Sequence, residues 1–142
     1  MAFTKIETLL ADVIGWAEQR ADVRGVLLVG SYARGSARPD SDVDLVVLTE
    51  QPSAYRDTTA WAATFDWSAW RAPVSSSKDA DYGQVWSRHF VLQDGSDIEF
   101  GFASLSWART DPLDAGTRGV VRDGARIAYD PDGVLQTLVD AC

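Results

Sequence analysis

The chain has 142 residues, of which 46% are hydrophobic and 24% charged, and its formal net charge is −8. This length and balance are typical of one globular domain with its own core, so we expect a single domain over residues 1–142. The negative charge argues against binding to a nucleic-acid polymer or an anionic membrane, which need a basic footprint. One cysteine, Cys142, excludes an intrachain disulfide, and no segment has the pattern of a signal peptide or membrane span, so a cytoplasmic location is expected.

The first part of the chain predicts a helix followed by two interior strands. Apolar residues at helical spacing after Thr4 predict a helix that ends near Ala21. The run "RGVLLVG" predicts a strand that is apolar on both faces, and "SDVDLVVLT" predicts a second one. Between them, Ser31 opens a turn and a short helix over residues 31–38. Two strands without a polar face belong in the middle of a sheet.

The remainder of the chain predicts further helices around a β-hairpin. Residues 84–104 form two strand-like runs around Asp94-Gly95, which is a strong hairpin turn signal. The other predicted elements are a helix from Ser53 to about residue 65, a polar loop over 71–83, a short helix closing near Val120-Val121, a small strand at 125–129 and a final helix from Pro131. The predicted fold class is α+β.

Two carboxylates mark the entrance to the second strand. Asp42 and Asp44 are two residues apart on a predicted strand, so their side chains leave on the same face. Two such carboxylates repel each other unless a cation lies between them, and hard oxygen ligands suit Mg²⁺. The preceding Gly30-Ser31 turn ends one strand and opens a helix, a place where backbone N–H groups meet an anion. A triphosphate bridged by Mg²⁺ is the ligand that uses both features.

The segment "GSYARGSARPDSDVD" resembles the signature of the nucleotidyltransferase superfamily, which includes DNA polymerase beta, aminoglycoside nucleotidyltransferases and small MNT-type proteins. The resemblance implies a minimal nucleotidyltransferase fold, in which helices flank a mixed β-sheet. It also implies Mg²⁺-dependent transfer of a nucleoside monophosphate, with ATP as the expected donor, to a hydroxyl acceptor.

The same resemblance implies roles for individual residues. Asp42 and Asp44 are the expected catalytic and metal-binding residues, with a third carboxylate on a neighbouring strand. The hairpin arm offers Asp97 and Glu99, and we favour Glu99 because it lies farther from the turn. The residues expected to bind the nucleotide are Gly30, Ser31, Arg34 and Ser41, with Arg38 as a weaker candidate. We interpret His89 as structural, and the six tryptophans mainly as core residues.

The acceptor is left open by the sequence. About forty residues follow the hairpin, too few for a substantial second domain, so the acceptor pocket must come from segment 54–70, the tail, a second subunit of a homodimer or a partner protein. Three hypotheses follow: an enzyme that modifies a small hydroxylated molecule, an MNT-type antitoxin that acts on a HEPN-like toxin, and a nucleotide-binding protein that has lost catalysis.

Overall fold

The structure is a computed structural model that describes residues 5–38, 41–58, 60–64, 74–93 and 95–142. Within these ranges six strands form one sheet in the order β3-β4-β5-β2-β1-β6. The strands are β1 (Val23–Val29), β2 (Val43–Thr49), β3 (Val74–Asp81), β4 (Val85–Leu92), β5 (Asp97–Ala103) and β6 (Ala125–Tyr129). The α-helices are α1 (Lys5–Glu18), α2 (Ser31–Arg34), α3 (Ala115–Arg122) and α4 (Val134–Ala141), and 3₁₀ turns cover Pro52–Tyr55, Ala60–Thr64 and Leu105–Ala108.

The sheet is mixed, because one central pair of strands is parallel. β2 pairs with β5 in parallel, whereas β2 with β1, β1 with β6, β4 with β5 and β3 with β4 all pair antiparallel. β1 and β2 are thus interior strands, as their unbroken apolar runs predict. The α+β class and the mixed sheet flanked by helices are confirmed.

Apolar side chains cover both faces of the sheet. On one face α1 and the turns Pro52–Tyr55 and Ala60–Thr64 pack over alternate residues of β1, β2 and β5, with Trp16, Tyr55, Trp61 and Phe102 among the buried rings. On the other face α3, α4 and the turn containing Trp107 pack over the intervening residues. Trp16, Trp61 and Trp107 are therefore core residues as predicted, whereas Trp67 and Trp70 lie outside the described residues.

The prediction for segment 53–65 is wrong. The described residues of this segment form two short 3₁₀ turns instead of one helix. The buried guanidinium of Arg88 on β4 donates hydrogen bonds to the backbone carbonyls of Tyr55, Arg56 and Thr58, and Trp61 Nε1 donates to the Tyr55 carbonyl. These bonds use carbonyl groups that a continuous helix would need for itself.

The polar loop predicted over residues 71–83 is also wrong in its described part. Val74–Asp81 forms the edge strand β3, paired antiparallel with β4. Almost all of its residues are exposed, so no apolar alternation marks the strand in the sequence. The backbone pairing with β4 stabilises it instead.

The other predicted elements are confirmed with small changes in their ends. α1 ends at Glu18 before the expected Ala21, and α2 occupies only the start of the predicted 31–38 segment. The hairpin, the small strand and the last two helices occur where predicted, while Thr4 and Asp94 lie outside the described residues. In the part of the chain that the structure covers, no helix combines the length and the apolarity needed to cross a bilayer.

Candidate active site

The parallel pairing of β2 with β5 brings two carboxylates together. Asp44 is the direct register partner of Glu99, and their side chains share a hydrogen bond. Both lie on the α3 and α4 face, since they alternate with Val43 and Ile98, which are buried on the opposite face. Burial, followed by the negative charge of Glu99, raises the pKa of Asp44 from 3.8 to about 7. The carboxylate pair is therefore electrostatically strained when both groups are ionised.

Gly30 lies directly against this pair. Its φ is 79°, and a Cβ added to it would be 2.9 Å from Asp44 Oδ2. Both observations require glycine here, because an L side chain disfavours this backbone conformation and would displace the carboxylate. Gly30 is also the residue from which α2 begins, one position before Ser31. The Gly-Ser turn and the Asp-x-Asp strand thus meet at one point, as the sequence predicts.

Asp42 and Ser41 precede β2 at the edge of the site. Asp42 is exposed, and its charge contributes to the raised pKa of Asp44. The hydroxyl of Ser41 accepts a hydrogen bond of 2.7 Å from the backbone N–H of Arg38. Ser41 therefore stabilises a local turn, and Asp40 within that turn lies outside the described residues.

The side chain of Arg34 contacts the C-terminal end of α3. Its Nη1 donates to both the backbone carbonyl and the carboxylate of Asp123, at 2.9 Å each. Gly124 makes room for this contact, because a Cβ there would be 2.4 Å from Arg34 Cγ. In this structure Arg34 therefore connects α2 to the end of α3.

His89 is the residue near the site whose position the sequence did not reveal. It is the cross-strand partner of Glu99 and is mostly buried. Its Nδ1 lies 3.0 Å from Asp97 Oδ1, and its Nε2 lies 3.7 Å from Glu99 Oε2. The ring thus contacts both candidates for the third carboxylate. The register of the β4–β5 hairpin is the signal that would have placed it there.

The two candidates for the third carboxylate differ in their surroundings. Glu99 faces Asp44 across the β2–β5 pairing. Asp97 precedes Glu99 on the same face of β5 and lies nearer the hairpin turn. It contacts His89, and its Oδ2 lies 3.9 Å from Lys78 Nζ. His89 contacts both acids, but Lys78 lies only beside Asp97, whereas Glu99 shares its environment with Asp44. This difference supports the preference for Glu99.

A cavity of about 650 Å³ opens beside the carboxylate pair. It lies between the face of the sheet and the first turns of α3, with Asp44 and Glu99 at its wall. Further wall residues include Val85, Ser87, Trp107 and Val120. The volume is in the range of small-molecule binding sites.

The donor atoms at the site fit a divalent cation. Among the described residues, no group of three or more His, Cys, Asp or Glu side chains is arranged as a ready-made ligand cluster. Mg²⁺, however, is commonly held by one or two carboxylates, with water and substrate phosphates completing its shell. Asp44 and Glu99 supply such a pair, and their mutual repulsion is what a shared cation relieves.

The family model described as a nucleotidyltransferase domain matches residues 12–93. This range includes Gly30, Ser31, Asp42 and Asp44 and ends before Glu99. Since it spans more than half of the 142 residues, the chain belongs to the nucleotidyltransferase domain family, whose members are transferases by class. No curated protein matches the sequence.

Solved structures with a similar fold include an aminoglycoside 6-adenyltransferase from Bacillus subtilis. It has a TM-score of 0.54 and 12% sequence identity, and the match covers 75% of this chain and 37% of that one. A CCA-adding enzyme in complex with CTP has a TM-score of 0.45 and 17% sequence identity, and the match covers 98% of this chain and 33% of that one. A CCA-adding enzyme in complex with ATP has a TM-score of 0.48 and 18% identity, with coverages of 94% and 32%. The chain thus spans about a third of the length of these proteins. The first of them supports the fold.

Proposed function

We propose that the protein is a Mg²⁺-dependent nucleotidyltransferase that moves AMP from ATP onto a hydroxyl group. The observation that carries this proposal is the meeting of Gly30, Asp44 and Glu99 at one point of the sheet. A turn suited to phosphate lies against one carboxylate, and that carboxylate is paired in register with a second. The family membership supports the reaction class.

Asp44 and Glu99, with Asp42 at the rim, would hold the divalent cation. When bound, the cation neutralises charge on the phosphates as pyrophosphate departs. The oxygen of the acceptor hydroxyl attacks the α-phosphorus, a new P–O bond forms, and the bond from the α-phosphorus to the pyrophosphate oxygen breaks. Glu99 would accept the hydroxyl proton.

The Gly30-Ser31 turn would hold the phosphates of the donor. Glycine allows close approach of the backbone, and the hydroxyl of Ser31 donates to a phosphate oxygen. Direct contacts of Arg34 and Ser41 with the nucleotide stay predictions, since in this structure Arg34 pairs with Asp123 and Ser41 with the backbone of Arg38. Arg34 would also act by fixing the position of α2.

The test is transfer of label from α-³²P-ATP to acceptors in a cell extract, with and without Mg²⁺. We expect labelling that requires Mg²⁺ and falls at least 100-fold, roughly the effect of losing a key electrostatic group, in Asp44→Asn. Glu99→Gln should lose far more than Asp97→Asn if Glu99 is the third carboxylate. Glu50→Gln, an exposed carboxylate paired only loosely with Arg24, is the matched control. Undiminished labelling by a folded Asp44→Asn would overturn the proposal.

The same experiment separates the open alternatives. A labelled protein band would favour the hypothesis of a HEPN-like toxin as acceptor. Labelled small molecules would favour the hypothesis of an enzyme that modifies a small hydroxylated molecule. Binding of ATP and Mg²⁺ without any transfer would favour the nucleotide-binding protein without catalysis.

A further inference from the structure

We propose that the 650 Å³ cavity on the α3 face is the acceptor pocket, and that it takes a small uncharged molecule with an apolar ring and a hydroxyl group. This inference rests on the proposed function, because it assigns the second substrate of that reaction. Four observations support it: the position of the cavity, its walls, its charge and one unpaired buried hydroxyl.

The position of the cavity suits an acceptor. Its wall contains both Asp44 and Glu99, so a molecule inside it reaches the group that is placed to accept a proton. The Gly30-Ser31 turn, in contrast, is not part of the cavity wall among the described residues. The phosphates of the donor and the contents of the cavity would therefore approach the carboxylates from different directions, as an in-line displacement requires.

The walls of the cavity are mainly apolar. Side chains of Val29, Val46, Val85, Trp107 and Val120 surround it, and Tyr82 stands at its rim with 62% of its surface exposed. Apolar walls with a few polar groups are typical of sites that bind compact organic molecules. They are unsuited to a polycation, because Asp44 and Glu99 would hold the divalent cation, the Asp114 carboxylate caps α3, and valines offer further ammonium groups no partner.

The described wall of the cavity offers no cationic side chain to an anionic acceptor. Asp44, Glu99 and Asp114 all line it, and its described lining includes no Lys, Arg or His. Asp114 is occupied as the N-cap of α3, since its carboxylate accepts a hydrogen bond from the backbone N–H of Thr117. A carboxylate or phosphate group on the acceptor would thus find no cationic side chain among the described walls.

Ser87 supplies a polar group that lacks a partner in the described structure. Its side chain is fully buried on β4, it lines the cavity, and its Oγ has no hydrogen-bond partner among the described residues. A buried hydroxyl without a partner is unfavourable and calls for an explanation. A ligand that hydrogen-bonds to Oγ would satisfy it.

Gly101 keeps the floor of the cavity open next to Ser87. The two residues are cross-strand partners. A Cβ at position 101 would lie 2.8 Å from Val85 Cγ1 and 3.3 Å from Ser87 Oγ, closer than side chains normally approach. Its absence leaves space beside the Ser87 hydroxyl. Its φ lies outside the left-handed region, so steric room and not backbone conformation favours glycine here.

The test uses 2-naphthol, a neutral ring with one hydroxyl, and its anionic analogue 2-naphthoate as probes. Binding to the full chain is followed by tryptophan fluorescence, since Trp107 lines the cavity, and label transfer from α-³²P-ATP to 2-naphthol is measured in parallel. We expect 2-naphthol to bind at least tenfold more tightly than 2-naphthoate. Ser87→Ala should weaken 2-naphthol binding about threefold to tenfold, which corresponds to one modest hydrogen bond.

Matched tryptophan substitutions provide the control. Val120 on α3 and Val74 on β3 are both 37% exposed, but only Val120 lines the cavity. Val120→Trp should reduce 2-naphthol binding at least tenfold, whereas Val74→Trp should leave it unchanged. Titration of each variant with Mg·ATP in a calorimeter reports the donor site separately.

The outcomes distinguish this inference from the proposed function. Equal effects of Val120→Trp and Val74→Trp, or no binding of 2-naphthol to the wild type, would overturn the pocket assignment. A larger loss of Mg·ATP affinity than of 2-naphthol affinity in Val120→Trp would assign the cavity to the nucleoside and overturn it equally. Binding of 2-naphthol in a protein that neither binds Mg·ATP nor transfers label would retain the pocket and reject the transferase.

Discussion

Gly30 is the residue at which backbone conformation and site geometry depend on each other most closely. Its φ of 79° and ψ of −155° belong to a region that is populated almost only by glycine. Gly30→Ala should therefore cost about 1–3 kcal/mol of unfolding free energy and move Asp44, so that Mg·ATP affinity falls as well. Urea unfolding and calorimetry measure the two effects.

Gly15 offers the matched control for Gly30. It is exposed on α1, and an added Cβ would meet nothing within 4 Å. Gly15→Ala should stabilise the protein by about 0.5–1 kcal/mol, because alanine is the better helix former. If the two alanine variants changed stability alike, the positive-φ conformation and the close contact at Gly30 would be refuted.

The raised pKa of Asp44 predicts a pH-dependent stability without divalent cations. Its value of about 7 in the folded state exceeds the unfolded value of 3.8, so the folded state retains a proton that the unfolded state releases. Stability from this group is complete below about pH 4 and is lost as the pH rises to about 7. The free energy of unfolding of Asp44→Asn should therefore exceed that of the wild type by about 1–2 kcal/mol at about pH 8, allowing for partial exposure.

Denaturant unfolding in EDTA from about pH 4 to about pH 8 measures this difference, because this range spans the unfolded and folded pKa values of Asp44. The gap between the variant and the wild type must widen as the pH rises. A constant gap would show that Asp44 is ionised across the whole range and would contradict its pairing with Glu99.

Sequence periodicity was sufficient for the carboxylates but not for His89. Asp44 and Glu99 stand at alternating positions of strongly apolar strands, so their faces follow from the two-residue repeat. The position of His89 depends on which residue of β4 stands opposite Glu99, and one residue of slip in the hairpin would move it to the other face.

At the scale of elements, Arg88 connects the segment after β2 to the sheet. Its side chain is buried, donates to three backbone carbonyls and to Asp79, and lies 4.7 Å from the Trp86 ring. Arg88→Ala should lower the free energy of unfolding by about 2–4 kcal/mol, since it leaves buried carbonyls without donors.

Arg56 is the control for this prediction. It also lies over Trp86, but 46% of its side chain is exposed and its ion pair is with Asp81 on the surface. Arg56→Ala should cost less than about 1 kcal/mol. Thermal unfolding of both variants decides the matter, and equal losses would show that burial of Arg88 contributes nothing.

The predictions for β3 and for segment 53–65 are wrong because the stability of both elements comes from partners elsewhere in the chain. β3 has exposed residues on both faces, so its strand conformation depends on the backbone of β4. The segment 53–65 has helix-forming residues, yet Arg88 and the packing of Tyr55 and Trp61 between aromatic rings favour short 3₁₀ turns. Local propensity does not contain such tertiary contacts.

At the scale of the whole molecule, the net charge of −8 predicts that binding of the proposed anionic nucleotide depends on a cation. Mg·ATP at about one hundred times its Kd should raise the unfolding free energy by about 2.7 kcal/mol, or the Tm by about 5–10 °C. ATP with EDTA should give no increase. Differential scanning fluorimetry tests this, and an equal increase in EDTA would reject the role of the carboxylate pair.

The cavity could not be predicted from the sequence, because it depends on how α3 stands over the sheet. Its walls come from six separate stretches of chain, and Ser87 and Gly101 are unremarkable residues until β4 and β5 are paired. The single-domain organisation stays a prediction, while the Gly-Ser turn and the Asp44–Glu99 pair show how far a strong local motif extends.

The parallel pairing of β2 with β5 also has a consequence for biosynthesis. Asp44 leaves the ribosome long before Glu99, and the whole β3–β4 excursion must be made between them. Pairing of such distant strands carries a high loop-closure cost and is a late event in folding. A nascent or misfolded chain would therefore have no complete centre for catalysis, and turnover would begin only once the middle of the sheet is assembled.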